Sequence, residues 1–436
     1  MGNLLLNRSL SRWYDLKEHP VQRKLIDDDV RFKIVPAGRR SGKSERAKRY
    51  LAHKALNNGD EMYFAAAPTR DQAKKIWWDD LKLLTFSSSH IKSPSESNLI
   101  IYLPNNTQIH IIGLDVPARM EGTFWSGGII DEIANVKTDS WALNIRPALD
   151  TFNPTRPDYK AWCWLIGVPE GLNNDYFELY QYASSANDPD WKAYHWISAD
   201  ILPDDIIASA KRSMSTKQYK QEYEASFETA TGRIYEDYSK ENYTNEAIKP
   251  HEQLLWYHDF NYTPMSNGIG VRRGNDIYML DEIILTSAVS RQSAMEFVER
   301  YKNHQNKNVI IYGDPAGRAG EKHGHASDYT DMEDVLRLNN WKFTRRVKRK
   351  APAIKDRQNA VRAKVKNAAG EVTLFVNTQL CPYTHKGLST VQYKKGSSFL
   401  EEETDYQHIT TAFGYMIDYE FPVGQQVPDL FEVKFV

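Results

Sequence analysis

The chain runs to 436 residues with a formal net charge of −1. That is long enough for two domains with separate cores and too neutral to bind nucleic acid over the whole surface, so any such surface must be local. Its two cysteines, Cys163 and Cys381, lie far apart and offer neither a zinc spacing nor a disulfide framework, which suits a reducing cytoplasm. No apolar run approaches the length of a membrane span, no signal peptide is expected, and Leu6 stands where a myristoylation signal starting at Gly2 would need Ser or Thr.

The first half alternates strand-like and helical patterns, which points to a parallel sheet. An apolar strand, Phe32 to Val35, feeds Ala37-Gly38-Arg39-Arg40-Ser41-Gly42-Lys43-Ser44, and a helical pattern follows over Ser44–Ala55. A strand, then a small-residue loop, then a helix is the context a phosphate-binding loop requires. Backbone N–H groups of the loop, from Ala37 and Gly38 to Ser41 and Gly42, and of the helix start would cradle the phosphates of ATP. Lys43 would reach the β/γ oxygens, and the Ser44 hydroxyl would ligate Mg²⁺. Ala37 replaces the usual leading Gly and still permits close backbone approach. Arg39 and Arg40 lie within the loop and are candidates for acting on the phosphates in the same subunit.

Further strands are read at Met62–Ala66, Leu99–Leu103, Gln108–Ile112, Gly128–Ile130 and Trp162–Gly167, with a helix over Arg70–Leu84 and a hairpin turn at Asn105-Asn106. The strand Gly128–Ile130 ends in Asp131-Glu132. Asp131 would hold Mg²⁺ through water, and Glu132 would polarise the attacking water. A Glu directly after the Asp marks the ATPase-motor branch, the ASCE type, rather than kinases or GTPases. From about Trp191 to Gly232 the pattern turns helical and polar, with Pro203-Asp204-Asp205 opening a helix, and reads as a linker subdomain.

The second half changes rhythm. Leu254–Phe260, Asn267–Arg273 and Ile277–Leu285 read as a three-strand meander, with Gly274-Asn275-Asp276 as one turn. A helix over Ser290–His304 and a strand over Val309–Gly313 follow. Meander, helix, strand is the opening order of the ribonuclease H-like fold. Asp259 lies on the first strand and Asp314 at the end of the fourth, where that fold places metal-binding carboxylates; two-metal hydrolysis holds its ions about 3.5–4 Å apart. A basic cluster with aromatics, Trp341 to Arg357, suits a groove that tracks a nucleic-acid backbone.

With these motifs in place, nearly the whole chain resembles the large terminase subunit of tailed bacteriophages. His19-Pro20-Val21-Gln22 is similar to the family's adenine-sensing segment, with Gln22 reading the base. Ala67 to Gln72 resembles the second ATPase motif, and Arg119-Met120-Glu121-Gly122 the segment from which an arginine finger reaches a neighbouring subunit. Ile166-Gly167-Val168-Pro169-Glu170-Gly171 looks like the coupling motif, with Gly167 where Ser or Thr is usual. Gln221 to Phe227, then Gly232, looks like the linker, and Gly313 to Gly317 like the second nuclease motif.

The resemblance implies an α/β chain: an N-terminal P-loop (ASCE-type) ATPase domain over 1–190, a helical linker subdomain over 191–232, and a C-terminal ribonuclease H-like nuclease domain over 233–436. It implies ATP-driven movement of double-stranded viral DNA into a prohead and metal-dependent cutting of the concatemer, with Mg²⁺ or Mn²⁺ at the nuclease. The implied partners are duplex DNA, the portal protein, the small terminase subunit and further copies in a ring, pentameric by the same resemblance, in the host cytoplasm and without a membrane. One position departs. The family's third nuclease acid follows a His on the final helix, and here the stretch His408-Ile409-Thr410-Thr411-Ala412 puts Thr411 in its place. Asp405, His408 or Asp418 would then supply the ligand, or the site is weakened. Two rival readings are a helicase or translocase, which would need a second P-loop-type domain, and a packaging subunit whose C-terminal fold grips DNA or the portal without cutting.

Overall fold

The computed structural model describes residues 16, 18–85, 92–150, 159–170, 174–185, 188–227, 232–260, 264–318, 327–395, 397 and 399–423. Gly2, Leu6 and Gly171 lie outside them. The chain divides into two compact units, Met1–Ile207 with Lys220–Thr229, and Ala208–Tyr219 with Ala230–Val436.

The first unit is built on a seven-stranded sheet in the order β3-β4-β2-β5-β6-β1-β7. Its strands are β1 (Phe32–Pro36), β2 (Met62–Ala67), β3 (Ile100–Tyr102), β4 (Gln108–Gly113), β5 (Gly127–Ile130), β6 (Trp162–Gly167) and β7 (Trp191–Ala193). Every neighbouring pair is parallel except β3 with β4. A parallel sheet is covered on both faces, so its strands read as unbroken apolar runs rather than alternating ones. Accordingly β1 is buried at every position, and apolar clusters line both faces of the sheet. Gly128 shows how tight this packing is. A Cβ there would stand 2.5 Å from the Phe64 ring, so the acid-bearing strand starts with glycine to admit its neighbour.

The expected strands appear within one or two residues of their predicted ends. The helical pattern over Arg70–Leu84 is a helix interrupted by a π-helical turn, Lys74–Trp78, that buries Trp77 and Trp78. The stretch from Trp191 is not helical at its start. Trp191–Ala193 forms the edge strand β7 beside β1, and Trp191 packs on Phe32 at 4.9 Å between ring centres. Three residues are too few for an alternating pattern to register, so tertiary pairing decided the conformation. The predicted helices follow later, over Asp204–Ser213 and Thr216–Tyr223.

The second unit holds a second seven-stranded sheet, β13-β12-β9-β10-β11-β14-β8. Strands β9 (Leu254–Asp259), β10 (Met265–Arg273) and β11 (Asp276–Leu285) form the antiparallel meander. A helix, Ser290–Arg300, returns the chain so that β12 (Asn308–Gly313) lies parallel to β9 on its far side, followed by β13 (Lys342–Arg345). This is the ribonuclease H-like strand order. Two strands extend the sheet beyond β11, namely β14 (Leu374–Asn377) and β8 (Tyr243–Thr244). The final helix, Asp405–Glu420, carries a long buried stripe and packs across β9, β10 and β12. Part of the basic cluster, Lys342–Arg345, is thus an edge strand.

Trp256 anchors the other face. It is fully buried, stacks on Phe297 at 4.1 Å and donates its indole N–H to Asn267 Oδ1 at 2.9 Å. Trp256→Ala removes that ring and leaves a cavity, and the expected loss is about 3–5 kcal/mol. Denaturant unfolding of the variant should show it, and a loss below about 1 kcal/mol would contradict the packing described.

Candidate functional site

The loop between β1 and its following helix, Lys43–Asn57, is fixed from several sides. Gly42 caps that helix at φ 82°, a left-handed conformation that glycine adopts without a steric penalty. Ser41 Oγ donates to Gly38 O at 2.6 Å, while Gln22 Nε2 and Trp196 Nε1 donate to Ser41 O at 2.9 and 3.1 Å. Gln22 Oε1 in turn accepts from Arg46 Nε at 2.8 Å, so the residue expected to read a base is held against the loop. Ala37 N–H donates to Gly167 O at 3.1 Å, which ties the loop to β6. The helix start leaves its first amides without intrahelical partners, a ready site for an anion, and Lys43 is its first residue.

Strand β6 lies between β1 and β5, and this spacing brings the end of β5 to the loop. Ser44 Oγ donates to Asp131 Oδ2 at 2.5 Å, and Asp131 Oδ1 accepts the Glu132 N–H at 2.8 Å. Asp131 is 1% exposed. Glu132 sits at φ 53°, ψ 40°, a left-handed conformation that a non-glycine residue adopts at a cost of about 1–3 kcal/mol. Burial holds its carboxyl above the ordinary carboxylate range, and the charge of Asp131 pushes the same way, against Lys43 and Arg39. A half-buried carboxylate of raised proton affinity beside a lysine suits proton transfer.

The arginines separate. Arg39 donates its backbone N–H to Glu222 O at 2.6 Å and pairs its Nε with Glu222 Oε2 at 2.6 Å, while Ser198 Oγ donates to Arg39 O at 2.7 Å. Arg40 is exposed at φ 57°. Arg119 is not drawn to the loop. It pairs with Asp115 at 3.1 Å and lines a recess with Arg70, Asn98 and His110.

In the second unit the parallel register sets Gly313 opposite His258, so Asp259 and Asp314 come at neighbouring strand ends. The final helix supplies a partner to each. His408 Nδ1 lies 3.1 Å from Asp259 Oδ2, and Tyr415 donates its hydroxyl to Asp314 Oδ2 at 3.1 Å. The bond to Asp259 raises the His408 proton affinity above that of a free imidazole. Burial raises that of the Tyr415 phenol, with Asp314 adding to it. The other candidates differ in setting. Asp405 is exposed at the helix's first residue, and buried Asp418 is ion-paired with Lys348. Thr411 accepts from Gln407 Nε2 at 2.7 Å and lies 3.5 Å from Glu401 Oε2. Among the described residues no three His, Cys, Asp or Glu gather around one point.

Sequence reading missed Glu401 and Arg357, which form an ion pair at 3.2 Å with side chains 5% and 8% exposed. Glu401 opens an acidic triplet that reads as a solvated turn, and Arg357 belongs to the basic cluster. That cluster divides. Arg346 and Lys348 pair with Glu420 and Asp418, while Arg349 and Lys350 are exposed.

No protein-family model matches the chain. In sequence it is 26% identical over 219 residues to the terminase large subunit of Escherichia phage T5, covering 49% of this chain and 48% of that protein. It is 21% identical over 251 residues to the terminase large subunit of Thermus phage G20c, covering half of each. The match thus spans about half the length of these curated relatives. In structure it resembles the large terminase of a thermophilic bacteriophage with a TM-score of 0.56 at 15% identity, over 94% of this chain and 97% of that one. A structure of the same phage protein in complex with ATP-gamma-S gives 0.55, over 94% and 98%. The chain therefore has the large-terminase fold over nearly its whole length, and its curated relatives in sequence are terminase large subunits.

Proposed function

We propose that the chain is the large subunit of a phage DNA-packaging terminase, an ATPase that drives double-stranded DNA into a prohead and a metal-dependent nuclease that cuts the concatemer. One observation carries the reading: a single chain holds Ser44 against the Asp131-Glu132 pair in one unit and Asp259 beside Asp314 in a ribonuclease H-like sheet in the other. The fold shared with the thermophilic phage terminase supports it. Portal protein, small terminase subunit and a homo-oligomeric, pentameric ring are the proposed partners, and the host cytoplasm the proposed location. No helix among the described residues is long and apolar enough to cross a membrane.

In the first unit the loop amides and Lys43 would bind the triphosphate, and Gln22 the adenine. The donor set fits magnesium: a hydroxyl and a carboxylate, Ser44 and Asp131, meet at 2.5 Å beside the phosphate loop. The ion supplies charge neutralisation at the β/γ oxygens. Glu132 would take a proton from the water whose oxygen bonds to the γ-phosphorus as the bond to the bridging oxygen breaks, giving ADP and phosphate. Arg39 and Arg40 would act on the developing charge within the subunit, and Arg119 on that of a neighbour. In the second unit Asp259 and Asp314 fit a hard divalent cation, Mg²⁺ or Mn²⁺, which supplies Lewis-acid stabilisation of the phosphate. His408 and Tyr415 would hold those carboxylates in place. There the water oxygen bonds to phosphorus and one sugar P–O bond breaks.

Lys43→Ala and Glu132→Gln are each expected to lower ATP hydrolysis by about 10²–10⁴-fold, with Glu132→Gln still binding nucleotide; near-normal turnover by either would remove that residue from the role. The raised proton affinity of Glu132 gives a pH signature. Protonation disables the base, so turnover should fall with falling pH at values above the ordinary carboxylate range, and an acid limb at ordinary carboxylate pH would contradict this. Asp259→Asn and Asp314→Asn should each abolish DNA cleavage and spare ATP turnover, which plasmid-nicking and phosphate-release assays on the same preparation measure side by side. For Arg119, ring-level ATPase of Arg119→Ala mixed with Lys43→Ala should recover activity that neither has alone. No recovery would place Arg119 outside a shared site.

A further inference from the structure

Strand β1 is buried at every position, yet one of its five residues is charged. Lys33 is 1% exposed and stands in register with Trp164 of β6. A buried ammonium is costly unless it is partnered, and two carbonyls partner this one. Lys33 Nζ donates to Leu25 O at 2.6 Å and to Asp28 O, with the Tyr50 and Trp164 rings 5.6 and 5.2 Å away. Burial lowers its pKa to about 8, against the pull of the nearby Asp28 carboxylate, so the charge is kept at neutral pH.

Both carbonyls lie at the end of the short helix Pro20–Asp27, one in its last turn and one on its cap residue, Asp28. The last carbonyls of a helix lack partners within it, and a cation there is favourable. Eight residues are too few to hold a helix on their own, so its place is set by what grips it. At the end near the phosphate loop the grip is Gln22, 2% exposed, whose Nε2 donates to Ser41 O at 2.9 Å and whose Oε1 accepts from Arg46 Nε at 2.8 Å. At the other end it is Lys33, joined by Lys192 Nζ and the Tyr194 hydroxyl, which donate to the Asp28 carboxylate at 2.5 and 2.6 Å. One strand thus feeds the phosphate loop and also carries the ammonium that anchors the helix bearing Gln22.

We propose that Lys33 is a positioning residue for nucleotide selection: by capping the helix Pro20–Asp27 from strand β1, it sets where Gln22 meets the base relative to the loop that holds the phosphates. This rests on the ATPase reading above and on Gln22 as the residue that contacts adenine.

The test is a double-variant cycle on the full chain. It reads the Kd for ADP and for GDP, neither of which supplies a γ-phosphate to hydrolyse, with kcat for ATP measured alongside. Lys33→Met keeps the length of the side chain and removes the ammonium, so the apolar surroundings stay filled. It is expected to weaken ADP about tenfold, the size of a coupling within one hydrogen-bonded network, with the Kd for GDP and the kcat nearly unchanged. Gln22→Ala should lose the same preference for ADP, and the double variant should lose no more than Gln22→Ala alone, because the lysine acts through the glutamine. A folded Lys33→Met that keeps the preference, or weakens ADP and GDP equally, overturns the proposal. So do losses that add in the double variant. If the unaltered chain shows no preference for ADP, or Gln22→Ala keeps it, the base contact of Gln22 falls and the proposal with it, while ATP turnover decides the ATPase reading separately. If Lys33→Met fails to fold, Lys33→Gln, uncharged and shorter, is measured in the same way, and an unchanged preference there overturns the proposal.

Discussion

Both candidate sites depend on carboxylates placed at the carboxyl ends of buried parallel strands and oriented by side chains from a helix packed on the same sheet. Asp131 follows β5 and meets Ser44 from the helix after the phosphate loop. Asp259 and Asp314 end or follow β9 and β12 and meet His408 and Tyr415 from the final helix. Burying a charge without a partner is costly, so the partners are part of what makes such acids tolerable. The strands come first in this logic, because a sheet packed on both faces holds its strand ends in place.

The two acids of the first unit are neighbours in sequence with different surroundings. Asp131 accepts from Ser44 and from the Glu132 amide. Glu132, with its left-handed backbone, is half-buried, and desolvation raises its proton affinity. Two acids in settings this different suit the proposed division of labour, one for cation binding and one for proton transfer.

Much of this was legible in the residues. The loop and the Asp131-Glu132 pair sit at strand ends because apolar runs in a parallel sheet are nearly unbroken, and their ends are sharp. The meander and β12 carried alternating or continuous apolar runs of readable length, so Asp259 and Asp314 fell at predictable places. Other parts were not legible for physical reasons. Trp191–Ala193 becomes a strand only because β1 offers an edge for it to pair with. Arg357 and Glu401 meet across 44 residues of chain, and nothing local marks a charged pair destined for burial. Arg119 shows the opposite limit: its side chain bonds Asp115 and the Gly113 carbonyl within the chain, so the proposed role across subunits has no local trace.

The most direct measurement is ATP hydrolysis by the purified full chain with and without linear duplex DNA, with the same reaction sampled for DNA cutting before and after a chelator is added. The account predicts ATP turnover that rises when duplex is present, DNA cuts that need the divalent ion, and loss of both on chelation. A chain that turns over no ATP in the presence of duplex and Mg²⁺, or that cuts DNA equally well with all divalent ions removed, would contradict it.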